Sequence, residues 1–324
     1  AYPTAAHFRR LLQAKLPLFL RQMPASDPLA ALAGKPAAVV PALVSSRWPA
    51  VDPARIDLSG LLIDHRVPPV AMRGGATAAV ARLRDFLAAD VVAYGQVRNQ
   101  PDDDRTSRLS PWLHFGHLSA HQALAETLEH ARWSPDRLAT RSTGAKEGWW
   151  GIDAGSESFI DELIIWRELG FVFADHVPGY DQWDSLPPWA RATLDLHAGD
   201  PRPQLYALEQ FANAATHDPL WNAAQTQLLR EGRIHNYLRM LWGKKILEWS
   251  SSPRAALEIM IELNNRWAVD GRDPNSYSGI FWCLGRFDRP WPEREIFGKI
   301  RWMSSQNTAK KLDVQGYIAR YALA

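Results

Sequence analysis

The chain has 324 residues, 46% of them hydrophobic, and a formal net charge of +2 at neutral pH, so it can bury a large core as one big domain or two modest ones. Its one cysteine, Cys283, excludes a disulfide framework and a cysteine-based zinc or iron–sulfur site, and fits a reducing compartment. No apolar run reaches the roughly 18 residues of a membrane span, and the first residues lack the apolar core of a signal peptide. We therefore predict a soluble, cytoplasmic protein without membrane contact.

Helical periodicity dominates the chain, because apolar residues recur three or four positions apart. It predicts helices at 4–22, 74–99, 117–130, 157–173, 204–212, 219–231, 234–249 and 253–268. Residues 25–60 are rich in alanine and proline, which is typical of an extended connector. Within it, 36–44 (PAAVVPALV) is the best strand candidate, weakened by its two prolines. The predicted fold is mostly α, with an N-terminal helix and connector at 1–60 and a helical domain at 61–324.

Two irregular segments interrupt this periodicity. Residues 131–158 combine glycine, serine, proline and charges with the adjacent Trp149 and Trp150, and long irregular loops in compact domains are commonly functional or disordered. Residues 270–279 (DGRDPNSYSG) cluster turn-forming residues and oxygen ligands. Their spacing is not that of an EF-hand, and no bidentate glutamate follows at the twelfth position. The sequence therefore predicts no metal site.

Charge is unevenly spread along the chain. Residues 286–320 hold eight Lys and Arg against four Asp and Glu, a surplus of four, and Trp291, Phe297 and Trp302 lie among these cations. Such a mixture suits phosphate contacts combined with base stacking. The alternative is a solvated helix face whose aromatic residues belong to the core.

Polar residues in helical segments supply candidates for chemistry. Glu162 and Trp166 are four positions apart and share a helix face. A carboxylate beside aromatic rings loses solvation, which favours its protonated form and would let it donate a proton or a strong hydrogen bond; the alternative is an exposed glutamate at the rim of a core helix. Arg239, Asp270 and Asp273 could form a buried ion pair beside a polar cofactor, or an ordinary surface pair.

Hydroxyl groups and tryptophans give weaker signals. Residues 106–119 (TSRLSPWLHFGHLS) collect serine and threonine hydroxyls before a helix, a reasonable phosphate cradle but also a common helix cap. Trp242 and Trp249 are seven residues apart and so lie on one helical stripe. That spacing leaves open whether they pack or carry electrons. His235 by itself is better explained as a structural residue.

Eight sequence blocks then occur in a familiar order. They are RNQP (98–101), SRLSPWLHFGHLS (107–119), DELIIWREL (161–169), LWNAAQ (220–225), GRIHNYLRMLWGKKILEW (232–249), LNNRW (263–267), DGRDPNSYSGIFW (270–282) and DRPWPEREIFGKIRWM (288–303). With them, residues 60–320 resemble the FAD-binding domain of the photolyase/cryptochrome family, specifically that of class II cyclobutane pyrimidine dimer DNA photolyases. Residues 1–24 resemble the segment that leaves the N-terminal antenna domain of that family. The resemblance implies an all-helical FAD-binding catalytic domain at 61–324 and light-driven repair of pyrimidine dimers in DNA.

The resemblance also implies which residues hold FAD, bound without a covalent link. Contacts to the phosphates and the ribityl chain are implied for Tyr94, Thr106, Ser107, Arg108, Leu109 and Ser110. Arg239 and Asp270 correspond to the ion pair next to the isoalloxazine ring, and Asp273 belongs to the same set of ring contacts. Asn264 corresponds to the side chain beside flavin N5.

On the substrate side, the resemblance implies that Glu162 contacts the flipped-out dimer and that Trp166 and Trp282 wall its pocket. With Asn264, these form the implied catalytic set. Trp291 and Arg301 correspond to positions that enter or support the gap left in the DNA, and Arg289 to a further DNA contact.

The resemblance also answers the question that the tryptophan spacing leaves open. It implies that electrons reach the flavin through Trp242 (nearest), Trp221 (middle) and Trp249 (outer).

The chain departs from the family pattern in several places. The α/β antenna domain is missing, so no antenna chromophore is expected, and residues 1–60, the 131–158 loop or a separate partner would cover the surface that it leaves. The 131–158 loop is longer than its family counterpart, while Asn236 and Ser276 replace usual glycines. These departures keep open a cryptochrome-like blue-light receptor, or an FAD photoenzyme acting on a non-duplex or small-molecule substrate.

Overall fold

Helices account for the regular structure of this computed structural model, which describes residues 2–25, 27–52 and 55–322. Within those ranges the sheet-type pairing is a single bridge between Arg294 and Gly298. The α-helices are α1 (Ala5–Phe19), α2 (Ala42–Arg47), α3 (Ala76–Ala89), α4 (Tyr94–Val97), α5 (Ser110–His114), α6 (Ala120–His130), α7 (Ala154–Ile160), α8 (Arg167–His176), α9 (Pro188–Leu196), α10 (Leu208–Ala212), α11 (Pro219–Glu231), α12 (Asn236–Trp249), α13 (Pro253–Trp267), α14 (Pro274–Cys283), α15 (Ser305–Lys311) and α16 (Gln315–Arg320). The predicted mostly α fold is confirmed.

The chain forms two compact units, one of residues 1–23 with 70–324 and the other of residues 24–69. Helix α1 belongs to the larger unit because Arg9 forms a buried ion pair with Asp161 and Phe8 joins the main apolar core. The predicted functional division into 1–60 and 61–324 stays a prediction.

The smaller unit contains the short helix α2 and a 3₁₀ turn at Ala30–Leu32. The strand predicted at 36–44 is wrong: residues 36–41 have no regular structure and residues 42–44 begin α2. Proline explains the difference, since Pro36 and Pro41 have no N–H to give a sheet, and Pro41 stands directly before the helix, where a missing N–H costs little.

Helices α11, α12 and α13 form the centre of the larger unit, and their predicted ranges are confirmed to within two residues. The Asp218 carboxylate caps α11 by accepting the N–H groups of residues 220 and 221, each at 3.0 Å. Gly232 ends the helix with a left-handed φ of +67°. A Cβ at that glycine would lie 2.5 Å from Cγ2 of Val269, so a larger residue does not fit there.

The helix predicted at 157–173 is present, but its middle part has the wider turns of a π-helix. Residues Asp161–Trp166 form a π-helix between α7 and α8. This local change of register directs Asp161 to Arg9 of α1, while Glu162 and Trp166 face a cavity described below. Short π segments inside α-helices are frequent at functional sites.

The 131–158 loop is packed into the larger unit. Trp149 and Trp150 are buried in one apolar cluster with Leu128 and Phe159. The Glu157 carboxylate accepts the backbone N–H groups of residues 148, 149 and 150 at 2.6, 2.8 and 2.9 Å. The loop is thus an ordered part of the core.

Candidate active site

Two neighbouring cavities collect the residues singled out in the sequence. We call the first cavity A; it is lined by Tyr94, Thr106, Ser107, Arg108, Leu109, Ser110, Pro111, Glu162, Leu228, Arg233, Ile234, Asn236, Arg239, Trp242, Asn264, Ala268, Asp270 and Asn275. Except for Asp273, the residues predicted to hold the cofactor are therefore brought together here. Asn236, which the sequence marks as unusual, opens α12 and lines this cavity as well.

The 106–110 segment of cavity A turns two of its carbonyl groups toward Arg82. That guanidinium donates to the carbonyl oxygens of Ser107 at 2.9 Å and Thr106 at 2.8 Å, and Arg108 has a left-handed φ of +58°. Among the described residues, the backbone N–H groups of Thr106 through Ser110 have no acceptor. Unpaired N–H groups beside the hydroxyls of Thr106, Ser107 and Ser110 form a donor set that fits phosphate and ribityl oxygens. Arg82 is a supporting residue that sequence analysis missed.

No ion pair joins Arg239 and Asp270 among the described residues, although both side chains line cavity A. Asp270 instead accepts a hydrogen bond from the Ser110 hydroxyl. Asp273 lies outside the lining, because Arg167 donates to both of its carboxylate oxygens at 3.2 Å. In the described structure Nε of Arg239 is buried without a hydrogen-bond partner. A buried, unpaired guanidinium N–H is a donor that a polar cofactor would satisfy.

We call the second cavity B; its volume is about 630 Å³, within the range of about 300–1,000 Å³ typical of ligand sites. Glu162, Trp166, Trp282, Trp291 and Arg301, which are five of the six predicted substrate-side residues, line it. The sixth, Arg289, lies outside the lining, exposed and stacked 5.3 Å over the Trp291 ring. The lining carries five cations and two acids, a surplus of three: Arg98, Lys146, Arg239, Arg301 and Lys311 against Glu162 and Asp288.

Glu162 forms an ion pair with Arg98, a partner that sequence analysis missed. Burial favours the neutral form of Arg98, but the Glu162 carboxylate more than offsets this and the pKa of Arg98 is raised. The carboxylate is therefore placed beside a permanent cation, whereas the sequence predicts an apolar surrounding that favours its protonated form. Glu162, Asn236, Arg239 and Asn275 line both cavities, so cavities A and B adjoin.

Cations stack on the aromatic rings of cavity B. Nζ of Lys244 lies 4.7 Å from the Trp282 ring centre, and the Arg301 guanidinium lies 5.7 Å from that ring and 4.4 Å from the Trp291 ring. Lys244 is fully buried and donates to the carbonyl oxygen of Cys283 at 2.7 Å, and burial lowers its pKa to about 8. Nothing in the sequence singles out Lys244, since its partners come from another helix.

The comparisons with known proteins point in one direction. No model of a protein family matches the chain. The chain is 42% identical over 258 residues to the deoxyribodipyrimidine photo-lyase of Potorous tridactylus. That match covers 79% of this chain and 45% of the relative. It is 39% identical over 261 residues to that of Methanothermobacter thermautotrophicus, covering 79% of this chain and 54% of the relative. The chain belongs to the photolyase/cryptochrome family.

Two solved structures of this family share the fold. A bacterial class III photolyase from Agrobacterium tumefaciens matches with a TM-score of 0.54 at 20% identity, over 76% of this chain and 44% of that one. The cryptochrome of Synechocystis sp. PCC6803 matches with a TM-score of 0.55 at 19% identity, over 79% and 47%. The family predicted from the sequence blocks is confirmed, while its class II subtype stays a prediction. The chain spans about half the length of the curated photolyases it matches.

The three tryptophans singled out by the photolyase resemblance form a spatial series that leads from cavity A into the core. Trp242 lines cavity A, and its carbonyl oxygen accepts the indole N–H of Trp221 at 3.1 Å. The rings of Trp221 and Trp249 are 6.1 Å apart. Trp249, predicted as the outer member, is only 2% exposed, and Tyr206 packs against it at 5.7 Å. The order predicted for the three residues and their electron-transfer role stay predictions.

In the part of the chain that the structure describes, no helix has both the length and the apolar character needed to cross a membrane. The same residues contain no group of three or more histidine, cysteine or acidic side chains arranged to hold a metal ion.

Proposed function

We propose that this chain carries the DNA-repair centre of a class II deoxyribodipyrimidine photolyase. Cavity A holds FAD without a covalent bond, and cavity B takes a pyrimidine dimer flipped out of DNA. The observation that carries the proposal is that the two cavities adjoin and share Glu162, Asn236, Arg239 and Asn275. A cofactor and a substrate in these cavities would meet across those four side chains.

The protein's part in cavity A is to bind and orient the cofactor. The unpaired N–H groups of 106–110 would hold its phosphates and the unpaired Nε of Arg239 a polar edge of its ring system. Asn264 is fixed by donating to the carbonyl oxygen of Gly271 at 2.6 Å, so its amide keeps one orientation toward the ring. When bound, reduced FAD excited by light supplies the electron that opens the cyclobutane ring and is then returned.

The protein's part in cavity B is to receive the dimer and stabilise charge on it. The Trp166 and Trp282 rings offer flat apolar surfaces to the two bases, and such stacking contributes roughly 1–3 kcal/mol per base. Glu162 holds the Arg98 guanidinium, a preorganised cation in the lining, where negative charge develops on the carbonyl oxygens of the dimer. The surplus of three positive charges in the lining attracts the phosphodiester backbone around the flipped bases.

The residues that line cavity B favour repair over light reception alone. A receptor has no need for stacked tryptophans and cations around an open cavity of this size, and both are present. The proposal assigns FAD as the cofactor of this chain and no antenna chromophore. The absorption spectrum of the purified protein checks this assignment. An additional near-blue band that disappears when a second compound is extracted from the protein would contradict it.

Illumination of the reduced protein with a dimer-containing oligothymidylate tests the proposal. Absorbance in the thymine band should recover in the light and stay constant in the dark. Glu162→Gln should keep FAD but give a lower repair yield at saturating DNA, because Arg98 loses the carboxylate that holds its positive charge beside the dimer. A protein that binds both FAD and the damaged strand yet restores no absorbance would overturn the repair function in favour of a light receptor.

A further inference from the structure

Lys146 lines cavity B from the 131–158 loop, which is longer than expected for a photolyase. It lies in the same lining as Arg98, Asn99 and Glu162 and is exposed. In the described part of the chain its ammonium group has no ion pair and no hydrogen bond. Neither acid of the lining pairs with Lys146: Glu162 pairs with Arg98, and Asp288 lies 3.9 Å from Arg301.

Helix α1 fixes the backbone immediately before Lys146. Gln13, which is 4% exposed, accepts the N–H of Gly144 at 2.8 Å and donates to the carbonyl oxygen of Ala145 at 3.0 Å. Arg9 donates to the carbonyl oxygen of Gly144 at 3.2 Å. Gly144 has a φ of +80°, and a Cβ there would lie 2.9 Å from the carbonyl oxygen of Ala6. The close approach of loop and helix therefore requires glycine.

The backbone is fixed again just after Lys146. Glu157 accepts the N–H groups of residues 148, 149 and 150, and Trp149 and Trp150 are buried. Lys146 thus lies between two anchors that are both built from buried groups. Its backbone is held while its side chain stays free, which is how a cation is presented at a constant place beside a cavity.

From these contacts we infer that Lys146 binds a DNA backbone phosphate beside the flipped dimer, and that Gln13 is the positioning residue that keeps Lys146 there. The inference rests on the proposed function, because it takes cavity B as the place that receives the dimer. A phosphate contact strengthens binding to damaged DNA without reading its sequence. The 131–158 loop then supplies one cation to the DNA interface through its attachment to α1.

DNA affinity measured at several salt concentrations tests the phosphate contact of Lys146. Lys146→Met should reduce the slope of log affinity against log salt by about 0.9, and this corresponds to roughly eightfold weaker binding of a dimer-containing duplex at 0.1 M salt. Lys146→Arg should keep both values near wild type. Lys15→Met, a change at an exposed lysine of α1 outside the lining, is the matched control and should leave both unchanged. FAD absorbance should be the same in all of these variants.

The second half is tested with Gln13→Ala alone and combined with Lys146→Met. Gln13→Ala should weaken binding in the wild-type background and add no further loss in the Lys146→Met background, because it acts through the lysine. A lower Tm with the wild-type salt slope would show that Gln13 only supports the fold.

Comparison with Arg301→Met keeps the two proposals apart. If Lys146→Met binds like wild type while Arg301→Met loses affinity, the inference about the loop is wrong and the proposed function stands. If the wild-type protein does not prefer damaged over undamaged DNA, both the inference about Lys146 and the proposed function are wrong.

Discussion

The buried histidine at the start of α12 makes the stability of this protein dependent on pH. His235 is 1% exposed, and in the described structure neither ring nitrogen has a hydrogen-bond partner. Burial, with the charges of Arg233 and Arg108 acting in the same direction and Asp104 opposing them, lowers its pKa from 6.5 to about 4. The folded protein therefore holds this imidazole neutral in a range where an unfolded chain protonates it.

The sign and size of the effect follow from these two values. Between pH 6.5 and about 4 the unfolded chain binds more protons, so the free energy of unfolding falls as the pH falls. At about 1.4 kcal/mol for each pH unit between the two pKa values, the full loss is about 3 kcal/mol. About 2 kcal/mol of it is lost between pH 7 and pH 5.

Urea unfolding at pH 7, 6 and 5, followed by far-UV circular dichroism, measures this loss. His235→Leu removes the titrating ring, so its free energy of unfolding should fall by about 2 kcal/mol less than that of wild type over this range. Leu238→Ala is the matched control: it removes packing at a buried neighbour and no proton site, so its deficit should be equal at the three pH values. Parallel pH profiles for wild type and His235→Leu would refute the reasoning.

Other predictions concern the helix contacts and the tryptophans. Arg9→Met leaves the buried Asp161 carboxylate without its cation and should lower the free energy of unfolding in urea by about 3–5 kcal/mol. Glu157→Gln weakens the acceptor of three backbone N–H groups and should cost about 2 kcal/mol; an unchanged Tm would contradict that. Trp221→Phe should slow the loss of oxidised-flavin absorbance under blue light while chemically reduced protein keeps its repair yield, and a wild-type rate would mean that these tryptophans only pack.

Local signals explain why the central helices could be predicted from the sequence. The range 219–231 is correct because Asp218 and Pro219 favour a helix start and Gly232 a helix end, and all three act over a few residues. The strand at 36–44 fails for an equally local reason, since two prolines outweigh its apolar composition. The π-helix at Asp161–Trp166 lies beyond such reasoning, because its register depends on what each residue meets in space.

The same limit applies to the site. The family blocks identify most of the residues that line cavities A and B, yet the partners of those residues come from distant positions. Arg98 and Glu162 pair across 64 residues, and Ser110 reaches Asp270 across 160, and a local sequence pattern indicates neither partner. The sequence analysis assigns no role to Lys146 or Lys244. The surroundings of Lys146 form only when α1 packs against the 131–158 loop, and those of Lys244 only when α12 packs against α14.

The attachment of α16 has a consequence for the order of events during protein synthesis. Asp102 accepts the N–H groups of Gly316 and Tyr317, and the Tyr317 hydroxyl donates to Gln227 of α11 at 2.7 Å. Asp102 lies four residues before Thr106, which begins the loop segment of cavity A. The earlier helices can form as they leave the ribosome, but this anchor stays open until residue 317 emerges. A nascent chain stalled before that point would expose the buried polar groups of α11 and leave the 106–110 segment less well fixed, so stable uptake of the proposed cofactor would follow the synthesis of α16.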